Sequence, residues 1–166
     1  MRLVVQKVSQ AAVTSVAEGA AAETAEIGRG FCALVGFEKD DTISDCQSMS
    51  SQLLKLRIFP EAPSETGPGR VYAANLGDVQ QDLLLVSQFT LNATLKSGRP
   101  SFHRAMGPTN AGPLFEEFIK LCREGLRERG CEVKSGIFGS YMQLHLVNDG
   151  PFTICLTCKD GKCSTW

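Results

Sequence analysis

Two short stretches of this chain are apolar almost throughout: Phe31-Cys32-Ala33-Leu34-Val35-Gly36, and Leu83-Leu84-Leu85-Val86 within residues 82–89. A half-buried strand alternates apolar and polar residues, so an unbroken apolar run reads as a strand covered on both faces. The second run is the more apolar and reads as the central strand. Cover for two sheet faces must then come from somewhere, and helix patterns are few. Thr42-Ile43-Ser44-Asp45 resembles a capping box with Asp in the Glu place, followed by Ile43, Cys46, Met49 and Leu53 on one helical face, ending near Leu56. Pro113 in a first turn, the stripe Leu114, Phe115, Phe118, Cys122 and Leu126, and a closing Gly130 predict a second helix.

The remaining periodic segments read as strands. Residues 2–8 and an Ala-rich run from Ala11 to Val16 lead through Gly28-Arg29-Gly30 into 31–36, as a three-strand meander. Further strands are expected at Arg57-Ile58-Phe59, at 82–89, and near 132–138, 141–147 and 152–158, with a Pro/Gly loop over 60–70. This pattern predicts an α+β fold, β-barrel-like, with a mostly antiparallel sheet and two principal helices. The sheet face without helices would close as a barrel or meet a second copy of the chain. Residues 1–158 form one expected domain, followed by a polar, loose tail at 159–166.

Composition matters mainly for what it excludes. With 43% hydrophobic residues and 17 Lys+Arg against 18 Asp+Glu, the 166-residue chain is neither disordered nor uniformly basic. The near-zero balance hides an asymmetry. Residues 1–95 hold seven cations against eleven anions, whereas 96–134 hold eight against five. Lys96, Arg99 and Arg104 are three cations without an anion between them, a loop suited to a phosphate backbone as well as to plain solvation.

No apolar run is long enough for a membrane span, and the first residues read as a strand rather than a signal core. The expectation is a cytoplasmic protein without a membrane partner. Seven cysteines, an odd number, then read as free thiols. Cys155 and Cys158 have metal-like spacing with Cys163 following, but a fourth ligand is missing and strand alternation turns Cys155 and Cys158 to opposite faces. Neither a metal nor another cofactor is expected.

The chain lacks a nucleophile elbow, a zinc-protease helix motif, a phosphate loop and a dinucleotide fingerprint. His103 and His145, the two histidines, read as surface or structural residues. Two polar constellations remain. Ser87-Gln88-Phe89-Thr90, where the most apolar strand ends, reads as a capped strand end or as small donors plus an aromatic face, suited to a sugar hydroxyl, a carbonyl and a stacked base. Asn148-Asp149-Gly150-Pro151-Phe152-Thr153 reads as an ordinary turn between two strands, or as a place where Gly-Pro exposes unobstructed main-chain carbonyls.

These residues, together with Met1-Arg2-Leu3-Val4-Val5-Gln6-Lys7-Val8, Val86 to Leu91, Arg99-Pro100-Ser101-Phe102, Gly136-Ile137-Phe138-Gly139 and Met142, resemble the D-aminoacyl-tRNA deacylase family in order and spacing. The resemblance runs from Met1 to about Leu156. It implies a homodimer with the active site at the subunit interface, hydrolysing the ester between a D-amino acid, or glycine, and the terminal adenosine of tRNA. It implies that Gly150 and Pro151 form a cis pair reaching from the partner subunit to exclude an L side chain. Ser87, Gln88, Phe89 and Thr90 would line the pocket, with Phe138, Met142, Asn148, Thr153 and Lys7 binding or supporting. Lys96, Arg99 and Arg104 would meet the tRNA backbone. Lys7 stands where the family carries arginine, and lysine lacks the bidentate fork. No base is evident beside Thr90, so the expected chemistry is positioning plus a ribose hydroxyl, with a Thr90 nucleophile as the competing mechanism. The alternative reading is a non-catalytic nucleic-acid-binding module on the same fold, and a third is a thiol or zinc protein using Cys155, Cys158 and Cys163.

Overall fold

The computed structural model describes residues 1–16, 19, 21–60 and 71–166. The predicted loop at 60–70 lies, apart from Pro60, outside the described residues. One long strand organises the rest. β1 (Arg2–Val16) pairs antiparallel with β3 (Gly30–Gly36) through its first half and with β2 (Glu23–Ile27) through its second. The two expected N-terminal strands are thus one, and β2 and β3 follow each other along its edge instead of forming a meander.

On its other side β1 pairs along its whole length with β8 (Tyr141–Lys159). β4 (Asp82–Ser87) and β7 (Val133–Ser135) add parallel to β3, and β9 (Lys162–Thr165) adds antiparallel to β8. The seven-stranded order is β7-β4-β3-β1-β8-β9, with β2 on the far half of β1. The α+β class and the mostly antiparallel sheet hold, and β4 is interior as its apolar run requires.

The barrel does not form. The sheet curls enough to bring β2 against β4 and β7, but no ladder joins them among the described residues. Arg57-Ile58-Phe59 likewise fails to make a strand, leaving one bridge from Phe59 to Ala74.

Both sheet faces are nonetheless buried. On one, Leu3, Val5, Phe31, Leu83 and Leu85 pack beneath α1 (Ile43–Lys55) and α3 (Pro108–Leu126). On the other, Val8, Ala11, Val13, Cys32, Leu84 and Val86 meet across the curl. Each fully buried leucine of β4 contributes about 1.5–3 kcal/mol. The two long helices match expectation, with a four-residue helix, α2 (Leu76–Val79), beside them. α3 starts earlier than predicted because Pro108, not Pro113, takes the first helical position, where a missing N–H costs nothing. Pro113 sits inside the helix and removes one backbone bond.

The predicted capping box is present, and Asp45 does more than cap. One oxygen accepts from the Thr42 N–H at 2.9 Å and its hydroxyl at 3.0 Å; the other accepts from the Gly161 N–H at 2.9 Å. Burial raises the Asp45 carboxyl, but these donors outweigh it and hold it below the usual carboxylate value. A depressed carboxyl stabilises the fold above the unfolded value of about 3.9 and loses that contribution as pH falls through its own lower value. Asp45→Ala is expected to cost about 2 kcal/mol at neutral pH. Urea unfolding at pH 7 and pH 3 should show the variant's deficit shrinking at the lower pH.

Gly161 belongs to the tail, which is not loose. β8 turns back into β9, and Cys158, directly opposite Cys163, is joined to it by a disulfide. This corrects the expectation of seven free thiols; five are free. Cys155 and Cys158 face opposite sides of the sheet, as alternation required, since Cys158 joins the helix-covered core.

Candidate active site

Where β4 ends, Ser87 lies opposite Val35 in the parallel ladder, and the Gln88 N–H extends it by donating to the Val35 carbonyl at 2.7 Å. The chain then coils into a 3-10 turn, Phe89–Asn92, seated on the end of β3. Gly36 permits that seat, because a Cβ there would stand 2.7 Å from the Gln88 carbonyl oxygen. Buried Asn92 fastens the turn by donating from Nδ2 to the Phe37 carbonyl at 2.7 Å. The Gln88 amide donates to the Thr90 hydroxyl, so these two polar side chains hold each other at the rim.

Beside the turn opens a cleft of about 650 Å³. Ser87, Gln88 and Phe89 line it together with Phe138 and Met142, with Met106 just ahead of α3 and with Ala111 in its first turn. Phe138 is fixed by its neighbours, packing on Phe115 with ring centroids 5.9 Å apart and against the bare Cα of Gly112. Phe89 meets Phe102 edge to face at 5.0 Å, and Phe89 is more than half exposed, a free aromatic surface at the mouth. Among the described residues, Tyr141 is the one titratable side chain on the lining, which carries no carboxylate, imidazole, amine or thiol. No cysteine is among the described lining residues. Burial pushes Cys32, Cys46 and Cys122 up to about 12, leaving inert thiols far below their titration.

Of the residues singled out in the sequence, Ser87, Gln88, Phe89, Phe138 and Met142 come together here, with Thr90 at the rim. A second group gathers elsewhere. Between Lys7↔Phe152 and Val8↔Asn148, β8 carries three residues without partners, 149–151, so the expected turn is a bulge within one continuous strand. Its Gly150-Pro151 peptide is cis, Gly150 has φ +125°, and both residues are exposed. Lys7 reaches the bulge through Asp149, Nζ to Oδ2 at 2.9 Å, while its ammonium lies 5.5 Å from the centroid of buried Phe59. Asn148 sits beside it with a buried Nδ2 that lacks a partner, and Thr153 is exposed next along the strand. Gly150 stands six residues along β8 from the cleft's Leu144, about 20 Å at strand rise.

The basic segment is a hairpin. β5 (Thr94–Lys96) and β6 (Arg99–Ser101) are joined by Ser97 and Gly98, both at positive φ, which is the two-residue turn that strand twist favours. Lys96 and Arg99 flank its exposed tip. Arg104 differs, because its Nη2 pairs with Glu38 at 3.3 Å. His103 bonds Ser101 Oγ through Nδ1 at 3.0 Å at the hairpin's base, and His145 is exposed on β8. Sequence reasoning missed Gly36 and the start of α3, whose contributions depend on backbone approach and leave no polar signature.

With this geometry in view, the relatives are informative. Residues 4–157 match the family described as D-Tyr-tRNA(Tyr) deacylase. A protein of Flavobacterium johnsoniae named D-aminoacyl-tRNA deacylase is 40% identical over 163 residues, covering 98% of this chain and 100% of that one. A solved structure titled c-Myc DNA Unwinding Element Binding Protein superposes with a TM-score of 0.79 at 38% identity, covering 95% of this chain and 98% of the other. A structure described as a probable eukaryotic D-amino acid tRNA deacylase shares the fold, with a TM-score of 0.75 at 20% identity over 93% of this chain and 97% of its own. On a match spanning nearly its whole length, this chain belongs to the D-Tyr-tRNA(Tyr) deacylase family.

Proposed function

We propose that this chain hydrolyses the ester joining a D-amino acid, or glycine, to the 3′-terminal adenosine of tRNA, and spares the L ester. The observation that carries the reading is the make-up of the cleft: small hydroxyl and amide donors and an exposed aromatic at the end of β4, with no carboxylate, imidazole or amine among the described lining residues. Such a site suits chemistry by positioning and hydrogen bonding, with the substrate's 2′-hydroxyl assisting the attacking water. Phe89 offers a face for the adenine, and Ser87, Gln88 and Thr90 offer partners for the ribose and the scissile carbonyl.

Gly150-Pro151 lies about 20 Å along β8 from the cleft of its own chain, so its role in rejecting L side chains requires a second copy. The working unit is then a homodimer with each cleft completed by the other subunit's bulge, and light scattering should give twice the chain mass. Lys96 and Arg99 on the hairpin meet the acceptor backbone, while Arg104 is already engaged by Glu38.

The test is hydrolysis of matched D- and L-aminoacyl-tRNA. The D ester should turn over and the L ester persist; no turnover of the D ester at micromolar enzyme overturns the proposal. Thr90→Ala should keep activity within about tenfold, since a positioned hydroxyl contributes one neutral hydrogen bond of about 1 kcal/mol. Complete loss with a trapped acyl-enzyme would establish Thr90 as a nucleophile instead. A second reading, nucleic-acid binding without catalysis, draws on the basic hairpin and on the DNA-element-binding title of the 38%-identical structure. It expects tRNA binding with both esters intact.

A further inference from the structure

Arg2 joins the cleft to a part of the chain that the site residues leave unused. Its Nη1 donates to the Leu91 carbonyl at 2.9 Å, its Nη2 pairs with Glu38 at 3.3 Å, and its guanidinium carbon lies 5.2 Å from the ring centroid of Trp166. Leu91 belongs to the 3-10 turn that carries Phe89 and Thr90. The Leu91 N–H donates to the Gln88 carbonyl and the Ala93 N–H to the Thr90 carbonyl, while Arg2 holds the Leu91 carbonyl. Arg2 also sits opposite Gly36, the residue on which the turn rests.

Trp166 is itself fixed. Its indole N–H donates to the Leu156 carbonyl at 2.9 Å and its backbone N–H to the Cys155 carbonyl at 3.3 Å. It follows directly on β9, which is held by the β8 ladder, by the Cys158–Cys163 bond and by the Gly161 bond to Asp45. Arg2 and Trp166 both lie outside the residues 4–157 that match the family.

We propose that Trp166 and Arg2 form a tether by which the C-terminal hairpin positions the 3-10 turn of the cleft. Both are positioning residues, acting through Leu91 on Phe89 and Thr90, and the proposal rests on the reading of that turn as the adenosine site. A planar guanidinium is required, because one group must donate to a carbonyl, pair with a carboxylate and stack on a ring at once. An ammonium is a single point without a plane to stack, so lysine cannot span all three partners as the guanidinium fork does.

Trp166 is the sole tryptophan, so its emission reports on the tether directly. Adenosine 5′-monophosphate serves as the probe for the cleft. In the wild type its binding should change Trp166 emission saturably. In Arg2→Lys the emission change should vanish while calorimetry still detects binding. Trp166→Ala should raise KM for the D ester about two- to fivefold, the weight of one cation–π contact, with kcat nearly unchanged. Trp166→Phe should restore KM. Amide exchange at residues 91–93 should quicken in Trp166→Ala and Arg2→Lys while the core of α3 keeps its protection.

Adenosine monophosphate that binds without changing emission overturns the tether, as does unchanged exchange at 91–93 in both variants. If α3 also loses protection in Trp166→Ala, the stacking role is judged on Arg2→Lys and Trp166→Phe. If the wild type neither binds the nucleotide nor cleaves the D ester, the adenosine reading fails, and the exchange experiment alone still decides whether the tether holds the turn.

Discussion

Gly36→Ala is expected to lower kcat/KM for D-aminoacyl-tRNA by about a hundredfold in a chain that still folds. The added Cβ would lie 2.7 Å from the Gln88 carbonyl oxygen, 3.0 Å from the Leu91 Cβ and 3.2 Å from Asn92 Nδ2. The nearest of these is backbone, and the other two belong to a turn already fastened to Phe37 and Arg2. No flexible side-chain end can swing aside, so the turn itself must lift from β3 and carry Phe89 and Thr90 with it. Steady-state kinetics beside a thermal melt check this. A wild-type rate would mean that the seat of the turn does not govern how the ester is held.

A tRNA ending in 2′-deoxyadenosine, charged on its 3′-oxygen with a D-amino acid, should be cleaved at least about a hundredfold more slowly than its ribose counterpart. The effect should fall on kcat rather than on KM. Among its described residues the cleft offers hydroxyls, an amide and main-chain groups but no lining carboxylate, imidazole or amine to take a proton from water. Tyr141, exposed at the edge, offers a phenolic hydroxyl as a hydrogen-bonding group. On the proposed mechanism the assisting hydroxyl comes with the substrate. Equal cleavage of the two substrates in single-turnover experiments would sink substrate assistance and direct attention back to Thr90.

Local chemistry was legible in the sequence, and pairings between distant segments were not. Thr42 and Asp45, three residues apart, announce the start of α1 because a capping box is written within one turn. The apolar run of β4 announces an interior strand because burial on both faces needs no partner to be named. By contrast, Asn148-Asp149-Gly150-Pro151 reads as a turn from composition, since Asn, Asp, Gly and Pro favour turns whether the chain reverses or bulges. Continuity of β8 is decided by β1, which pairs on both sides of the bulge. The tail was misread for the same reason, because Cys158, Cys163 and Trp166 find their partners through β8 and Arg2. The cleft followed this division too. Ser87 to Thr90 stood out as a polar end to an apolar strand, whereas Gly36 contributes only the absence of a Cβ.

The bulge on β8 has a consequence for how such a protein could arise. Removing residues 149–151 would bring Asn148 next to Phe152, and their partners Val8 and Lys7 are already adjacent on β1. The ladder would close over the gap, leaving the irregularity between Val8 and Gln10. On the proposed reading, fold and stereochemical filter are separable, the filter being a three-residue insert in a strand that pairs with β1 on both sides of it. An ancestral scaffold could have held an acceptor end before it could tell D from L, and a shortened chain of this kind should fold while hydrolysing both esters.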